Sequence, residues 1–494
     1  MSQKKNILRS SLLTLGLVIL LCVSASSVFG QTHADHLQYK GNTLSIEYTG
    51  SFSLSAQRGK AGAVVRTQGS GFGAENHLEI LWQSFRGSWK VENGEFHGRN
   101  YTEELVLLTE VWTEATGEFN TEFTIPEGFG FLHDVLVVHK NKILNKAAFE
   151  VEMEVSVSPS SGPVGTPISV DIQGIGWRPL ENSWVLLYDN KFTGWMSAVS
   201  TNGSARAIIP ATGTPGKHIL RILHGAFTFP YMNMQQSPQP DRPTFTFEFE
   251  VTAGTPVLPP SAEDQGPLPT PATYPIDSKE TLIWTEVSSG PVGTPIKLNG
   301  ERFPANTQIK LRWYRVTGSR VSGQGWTEES SLIGAPETDG KGSFQFSFPA
   351  LDDLGGAHRI EADAGDKMLA KTEFTITPSA FNLQATMGPA GTIATIHLKG
   401  VGWTETANIY TVVYDNAYVG YACGFNSQGD VIIYLPMAGT PGWHFIDLYP
   451  GIYKGKDVKG VNNFRIPQLT FLEDHPGEQL PAFRFAFKIL DESS

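Results

Sequence analysis

The chain has 494 residues, too many for one hydrophobic core, so several domains are expected. Charged residues make up 17% and hydrophobic ones 40%, with 51 glycines and 31 prolines spread throughout. That excludes a disordered or largely helical chain and suits many short strands and turns. A formal net charge of −12 argues against nucleic acid or an anionic membrane as partner.

The first element in chain order is a secretory signal over residues 1–30. Lys4, Lys5 and Arg9 make a basic start, and an apolar run from Leu12 to Val23 follows, too short to span a bilayer comfortably. Val28 and Gly30 supply small residues for cleavage before Gln31; an uncleaved anchor is the alternative. A lipid-modified Cys22 is disfavoured, because Leu20 and Leu21 precede it where a small residue is needed. Cleavage removes three positive charges, taking the net charge from −12 to −15, and leaves Cys423 as the single thiol. No intramolecular disulfide is then available, so the cores must hold the protein together. Cys423 lies in a strand-like run and is expected to be buried and inert.

Self-similarity organises the rest. Ser161-Gly162-Pro163-Val164-Gly165-Thr166 recurs identically at Ser289–Thr294, in shortened form at Gly388–Thr392, and in degenerate form at Gly59–Ala63. Each copy precedes a short alternating strand and a turn ending in an aromatic: Phe72, Trp177, Phe303 or Trp403. The spacing sorts the copies into an A-B-A-B series. Trp177 and Trp403, Tyr188-Asp189-Asn190 and Tyr414-Asp415-Asn416, and His218 and His444 all differ by 226. The A copies align at 231 early (Trp82 with Trp313) and at 225 later (His133 with His358).

The predicted order is therefore module A1 over residues 40–154, B1 over 155–253, a proline-rich linker over 254–278, A2 over 279–376 and B2 over 377–491. The linker, holding Pro256, Pro259, Pro260, Pro267, Pro269, Pro271 and Pro275, reads as a semi-rigid spacer in a serial rod. Runs such as Phe119–Phe123, Ile168–Ile172, Phe245–Phe249 and Phe344–Phe348 alternate with period two, as half-buried strands do. Thr201–Ser204, Asp339–Gly342 and Ser427–Asp430 supply the turns between strands. The expected fold is all-β, four tandem Ig-like β-sandwich modules.

The Gly-Pro-Val-Gly-Thr run, followed by a strand and Gly-x-Gly-aromatic, resembles the IPT/TIG group of Ig-like modules and related bacterial surface repeats. It matches over the opening third of each module. The resemblance implies a spacer, an adhesion unit or a non-catalytic appendage of an extracellular protein.

The sequence carries few signatures of chemistry. No zinc helix, nucleophile elbow, phosphate loop or calcium loop is present, so no catalytic residue, metal or cofactor is assigned. The recurring His133, His218, His358 and His444 open apolar strands and are read as structural. Tyr188-Asp189-Asn190 and its copy are read as turns over a calcium or sugar contact, and Glu473, Asp474, His475 and Glu478 as a solvated loop.

Both B modules carry a long excursion before their last strand, from His224 to Pro243 and from Tyr449 to Pro481. Candidate ligand-binding residues are Trp195, Phe229 and Tyr231 in B1, and Tyr421, Tyr449 and Tyr453 in B2. The reading favoured for the excursions is that their aromatics pack on the neighbouring module and fix an interdomain angle. The expected function is an exported, non-catalytic scaffold or adhesion-type protein, secreted or at the cell surface. A carbohydrate-binding protein is the alternative, and an enzyme on an unfamiliar sandwich a third, for which no paired constellation is found. Expected partners are polysaccharide or surface proteins, not nucleic acid, and no membrane span is read after the signal.

Overall fold

The computed structural model describes residues 37–226, 228–237, 242–273, 280–319, 325–453, 464–477 and 479–491. The signal segment, Phe227, Pro275 and Glu478 lie outside them. The chain divides into two compact units, one of residues 1–86 and 102–152, the other of residues 87–101 and 153–494. Residues 87–101 are the tip of the hairpin formed by strands His77–Glu92 and Glu95–Trp112, so the compact units cut across the first module.

The fold is all-β, of Ig-like sandwiches. In the first unit, strands Ser51–Leu54, Val64–Ser70 and Phe119–Thr124 form a three-stranded sheet. It faces a larger sheet in which Lys142–Val151, Phe131–His139 and the long hairpin run side by side. Val65, Phe119 and Phe123 meet Ile80, Trp82, Val135 and Phe149 between the sheets. The alternation of Phe119–Phe123 is what makes this possible, since every second side chain points inward.

The second unit repeats the plan. In B1, Glu154–Ser158, Pro167–Gln173 and Ala205–Pro210 form the small sheet. The large one is Ser161–Pro163, Phe245–Thr252, Gly216–Ala226, Trp184–Tyr188 and Lys191–Met196. In A2 the small sheet is Leu282–Thr285, Pro295–Glu301 and Phe344–Pro349, and its large sheet centres on Ile309–Ser319, Gly356–Ala364 and Lys367–Ile376. In B2 it is Ser379–Ala380, Ile393–Lys399 and Val431–Pro436, opposed by Met387–Gly388, Phe483–Ile489, Gly442–Gly451, Ile409–Tyr414 and Ala417–Cys423.

The recurring motif marks where the chain changes sheets. Ser161–Pro163 pairs parallel with the last B1 strand, as Met387–Gly388 does with the last B2 strand. The Pro163 carbonyl then accepts the Thr166 amide at 3.1 Å and its hydroxyl at 2.7 Å, closing a turn whose third residue is Gly165 at φ +86°. A positive φ there demands glycine. The hydroxyl bond recurs at Thr294 and Thr392. A Cβ on Gly162 would sit 2.4 Å from the Thr166 hydroxyl, so the first glycine is required by the threonine. Where Ala63 replaces that threonine, only the backbone bond to Lys60 remains.

The linker is not a free spacer between serial modules. Val257 donates its amide to Val164, Ala262 is buried in the B2 core, and Gln265 exchanges hydrogen bonds with the backbone of Arg484 at 2.7 and 2.8 Å. B1 also touches B2 directly although A2 lies between them in sequence. Thr193 donates to the Asn416 carbonyl, and Asn416 Nδ2 donates to the Pro210 carbonyl and the Thr212 hydroxyl. The serial rod is therefore corrected for the second unit: apolar strand faces and the Asn416 Nδ2 donor at the B1–B2 contact are met by the other module.

Candidate functional site

The most conspicuous repeated polar residues serve the fold. His218 places Nδ1 2.6 Å from Asp189 Oδ2 and Nε2 2.8 Å from the Thr214 carbonyl, while Asp189 Oδ1 accepts the Ile219 amide. His444 repeats this on Asp415, Thr440 and Phe445 at the same distances. Each ring stacks on the preceding tyrosine, Tyr188 at 5.5 Å and Tyr414 at 5.7 Å. Burial alone would lower the His444 pKa, but the Asp415 hydrogen bond, its charge and the Thr440 carbonyl outweigh it and raise it. In the A modules, His133 and His358 bridge two backbone carbonyls each and stack on Trp82 and Trp313.

The B2 excursion docks on B1. Its residue Gln468 bridges the edge strand at Trp195, whose amide donates to the Pro467 carbonyl and whose carbonyl accepts from Leu469. Trp195 is thus fully buried, edge-on to Trp89 of the hairpin tip and to Phe464, and presents no face to a sugar. The Arg99 guanidinium is enclosed beside the same rings, 5.4 Å from Trp195 and 5.7 Å from Trp89, and burial lowers its pKa. Asp474, expected in a solvated loop, is fully buried. It accepts from the Val199 and Ser200 amides, the Ser200 hydroxyl and Trp89 Nε1 at 2.6 to 2.9 Å. Phe464 of the excursion packs on Trp195 and Phe96, the packing on a neighbouring module expected for its aromatics.

Phe229 packs on Phe192, itself edge-on to Tyr418 of B2, and Tyr231 lies beside His224. Tyr421 and Tyr453, 32 residues apart in sequence numbering, come together at 6.2 Å. Arg465 lies over Tyr453 at 4.5 Å and donates to the Tyr421 hydroxyl at 3.2 Å. Tyr421 remains 42% exposed, so this cluster does offer an aromatic surface with a cation beside it. Cys423 is exposed, which corrects the expected buried thiol: it ends a strand on the sheet edge, where alternation turns it outward.

Tyr449 stands apart from the other candidates, lining an open cavity of about 360 Å³ between B1, the linker and B2. Along Gly442–Gly451, Ile446 and Leu448 enter the B2 core, so Asp447 and Tyr449 share the opposite face. Asp447 pairs with Arg484 on the neighbouring strand through Nε and Oδ1. Burial raises the Asp447 pKa and Arg484 opposes this; burial would lower that of Arg484, and Asp447 raises it instead. Asp447 Oδ2 is buried without a hydrogen-bond partner, and the buried Tyr449 Oη, beside the Arg484 guanidinium, has no acceptor for its proton. Burial, then the Asp447 charge, raises the Tyr449 pKa against a smaller opposing pull from Arg484. Ile208, Val257, Leu258, Pro260, Leu469 and Phe471 supply apolar lining.

Asp447 and Arg484 escaped sequence reasoning. The signal was present: at the 226 offset Asp447 replaces Arg221, a charge reversal in a strand whose His218 and His444 correspond. Among the described residues, no cluster of three or more His, Cys, Asp or Glu side chains is arranged to hold a metal ion.

No protein-family model and no curated protein matches the chain. Among solved structures, the Salmonella α-2-macroglobulin mutant Y1175G matches at TM-score 0.19 and 9% identity over 90% of this chain and 31% of that one. The ICAM-5 D1–D4 ectodomain fragment matches at TM-score 0.18 and 10% identity, covering 89% of this chain and 99% of that one. The Yersinia pseudotuberculosis adhesin InvE matches at TM-score 0.17 and 11% identity, covering 49% and 66%. The chain thus spans about a third of the length of the α-2-macroglobulin structure it matches.

Proposed function

We propose that the chain is an exported, non-catalytic scaffold of the adhesion type, built from IPT/TIG-like modules and working at the cell surface or in the medium. The observation that supports this most is the fate of the polar residues that the sequence singles out. The threonine turns, the Tyr-Asp-His networks and the buried Asp474 all hold strands or modules in place, and none converges on a reacting centre. A protein that spends its polar motifs on rigidity presents surfaces at fixed spacing. Export is tested by expressing the full chain in a bacterial host and sequencing the N-terminus of the extracytoplasmic product. A mature chain beginning at Gln31 is expected; retention of the whole chain in the cytoplasm contradicts export.

A second function, carbohydrate binding, is supported by one observation, the Tyr421–Tyr453 cluster with Arg465. Exposed rings stack on sugar faces and the guanidinium can donate to hydroxyls. Affinity electrophoresis against soluble polysaccharides tests it. Retardation that is lost in Tyr421→Ala and Tyr453→Ala is expected; no retardation by any polysaccharide contradicts it.

A further inference from the structure

We propose that the cavity between B1, the linker and B2 is a binding site for a small apolar molecule carrying a hydroxyl group. Asp447 Oδ2 is an acceptor that lacks a donor, and the neighbouring Tyr449 hydroxyl is a donor that lacks an acceptor. Both side chains are nine-tenths or more buried and face the cavity from one side of one strand. Leaving two such groups unsatisfied is costly. A ligand hydroxyl answers both needs at once, donating its proton to Asp447 Oδ2 while accepting the Tyr449 proton. A ketone can only accept and an ammonium can only donate.

The rest of the cavity sets the body of the ligand. Its volume of about 360 Å³ equals roughly a dozen waters at about 30 Å³ each. Ile208, Leu469, Phe471 and two linker prolines make most of its wall apolar, with Arg206, Gln265 and Glu473 as further polar lining. Val257, Leu258 and Leu472, which also line it, are 40, 47 and 58% exposed and give its opening aliphatic surface beside the charged Arg206 and Glu473. Asp447 and Arg484 neutralise each other, which favours an uncharged guest over an ion. B1 has no equivalent, because Arg221, Leu223 and Thr246 take the places of Asp447, Tyr449 and Arg484.

The test titrates the full chain with cyclohexanol, cyclohexanone and cyclohexylammonium, read by saturation-transfer NMR. Cyclohexanol is expected to bind at least about fivefold more tightly than the other two, and Tyr449→Phe to weaken it about tenfold. Ile208→Trp, which fills the cavity from a half-exposed position on the B1 small sheet, is expected to abolish binding while leaving both polar groups in place. It also serves if Tyr449→Phe disturbs folding. Equal binding of ketone and alcohol, no effect of Tyr449→Phe in folded protein, or no binding by any probe with only ordered water in a crystal of the chain, each overturns the proposal. Success or failure here is independent of export, which the N-terminal sequence reads.

Discussion

B1 and B2 are the same sandwich used in two ways. On the inner face of the central strands they agree closely: His218 and His444 sit on their aspartates at the same 2.6 Å, and Ile222 and Leu448 fill equivalent core positions. On the outer face of the same strands they part. B1 carries Leu223 there, packed with Val185, Leu187 and Trp195 against Ile466 of the B2 excursion. B2 carries Asp447 and Tyr449, covered by the linker and by Ile208 only loosely enough to leave a cavity. The inward half of a strand is fixed by a core that both copies must build, whereas the outward half answers to whatever covers it. Duplication preserved the first and released the second.

The largest way to break this comparison is at the buried ion pair. Arg484→Met leaves Asp447 uncompensated and is expected to destabilise the second unit by about 3–5 kcal/mol in denaturant melts, while Asp447→Leu together with Arg484→Met restores most of it. Thr246→Ala, the matching site in B1, should stay within about 0.5 kcal/mol. An Arg484→Met protein as stable as the parent would mean the pair is not desolvated.

The shared turn gives the next largest contrast. A Cβ on Gly165 would lie 2.0 Å from the Val257 carbonyl oxygen of the linker, whereas one on Gly391 meets nothing within 4 Å. Both have positive φ. Gly391→Ala should cost about 1–2 kcal/mol for the backbone alone, and Gly165→Ala about 3 kcal/mol as the linker is displaced. Equal thermal shifts would show that the linker does not rest on B1.

The smallest effect concerns protonation. Because the folded His444 pKa is raised above its ordinary value, its contribution is fully present below the usual histidine range. It is lost as pH rises through the raised value. Denaturant midpoints should therefore fall over that window, and Asp415→Asn should flatten the fall. A parent midpoint that rises with pH there, with Asp415→Asn making no difference, would contradict the assignment.

Much of the architecture was legible because it is written in short-range rules. A glycine at the third turn position, a threonine three residues after a proline and a period-two apolar pattern each specify local geometry without knowledge of the neighbour. The sites were less legible. Trp195 looks like any exposed strand aromatic until Gln468, 273 residues on, covers it. Asp474 reads as a loop acid because its donors, Val199, Ser200 and Trp89, come from two distant segments. Tyr421 and Tyr453 could be nominated singly, but nothing in their spacing announces that Arg465 joins them. What fails from sequence is pairing between modules, since that depends on which outward faces meet.

That pairing is also what a scaffold requires, and pulsed electron–electron distance measurement tests it most directly. With Cys22→Ser and Cys423→Ser in the full chain, spin labels on cysteines placed at Lys217 of B1 and Val419 of B2, both exposed, report the separation of the two modules. A single narrow distance distribution is predicted, broadening when Trp195→Ala removes the apolar centre of the contact. A broad distribution in the parent, as for modules tethered by a loose linker, would contradict the account.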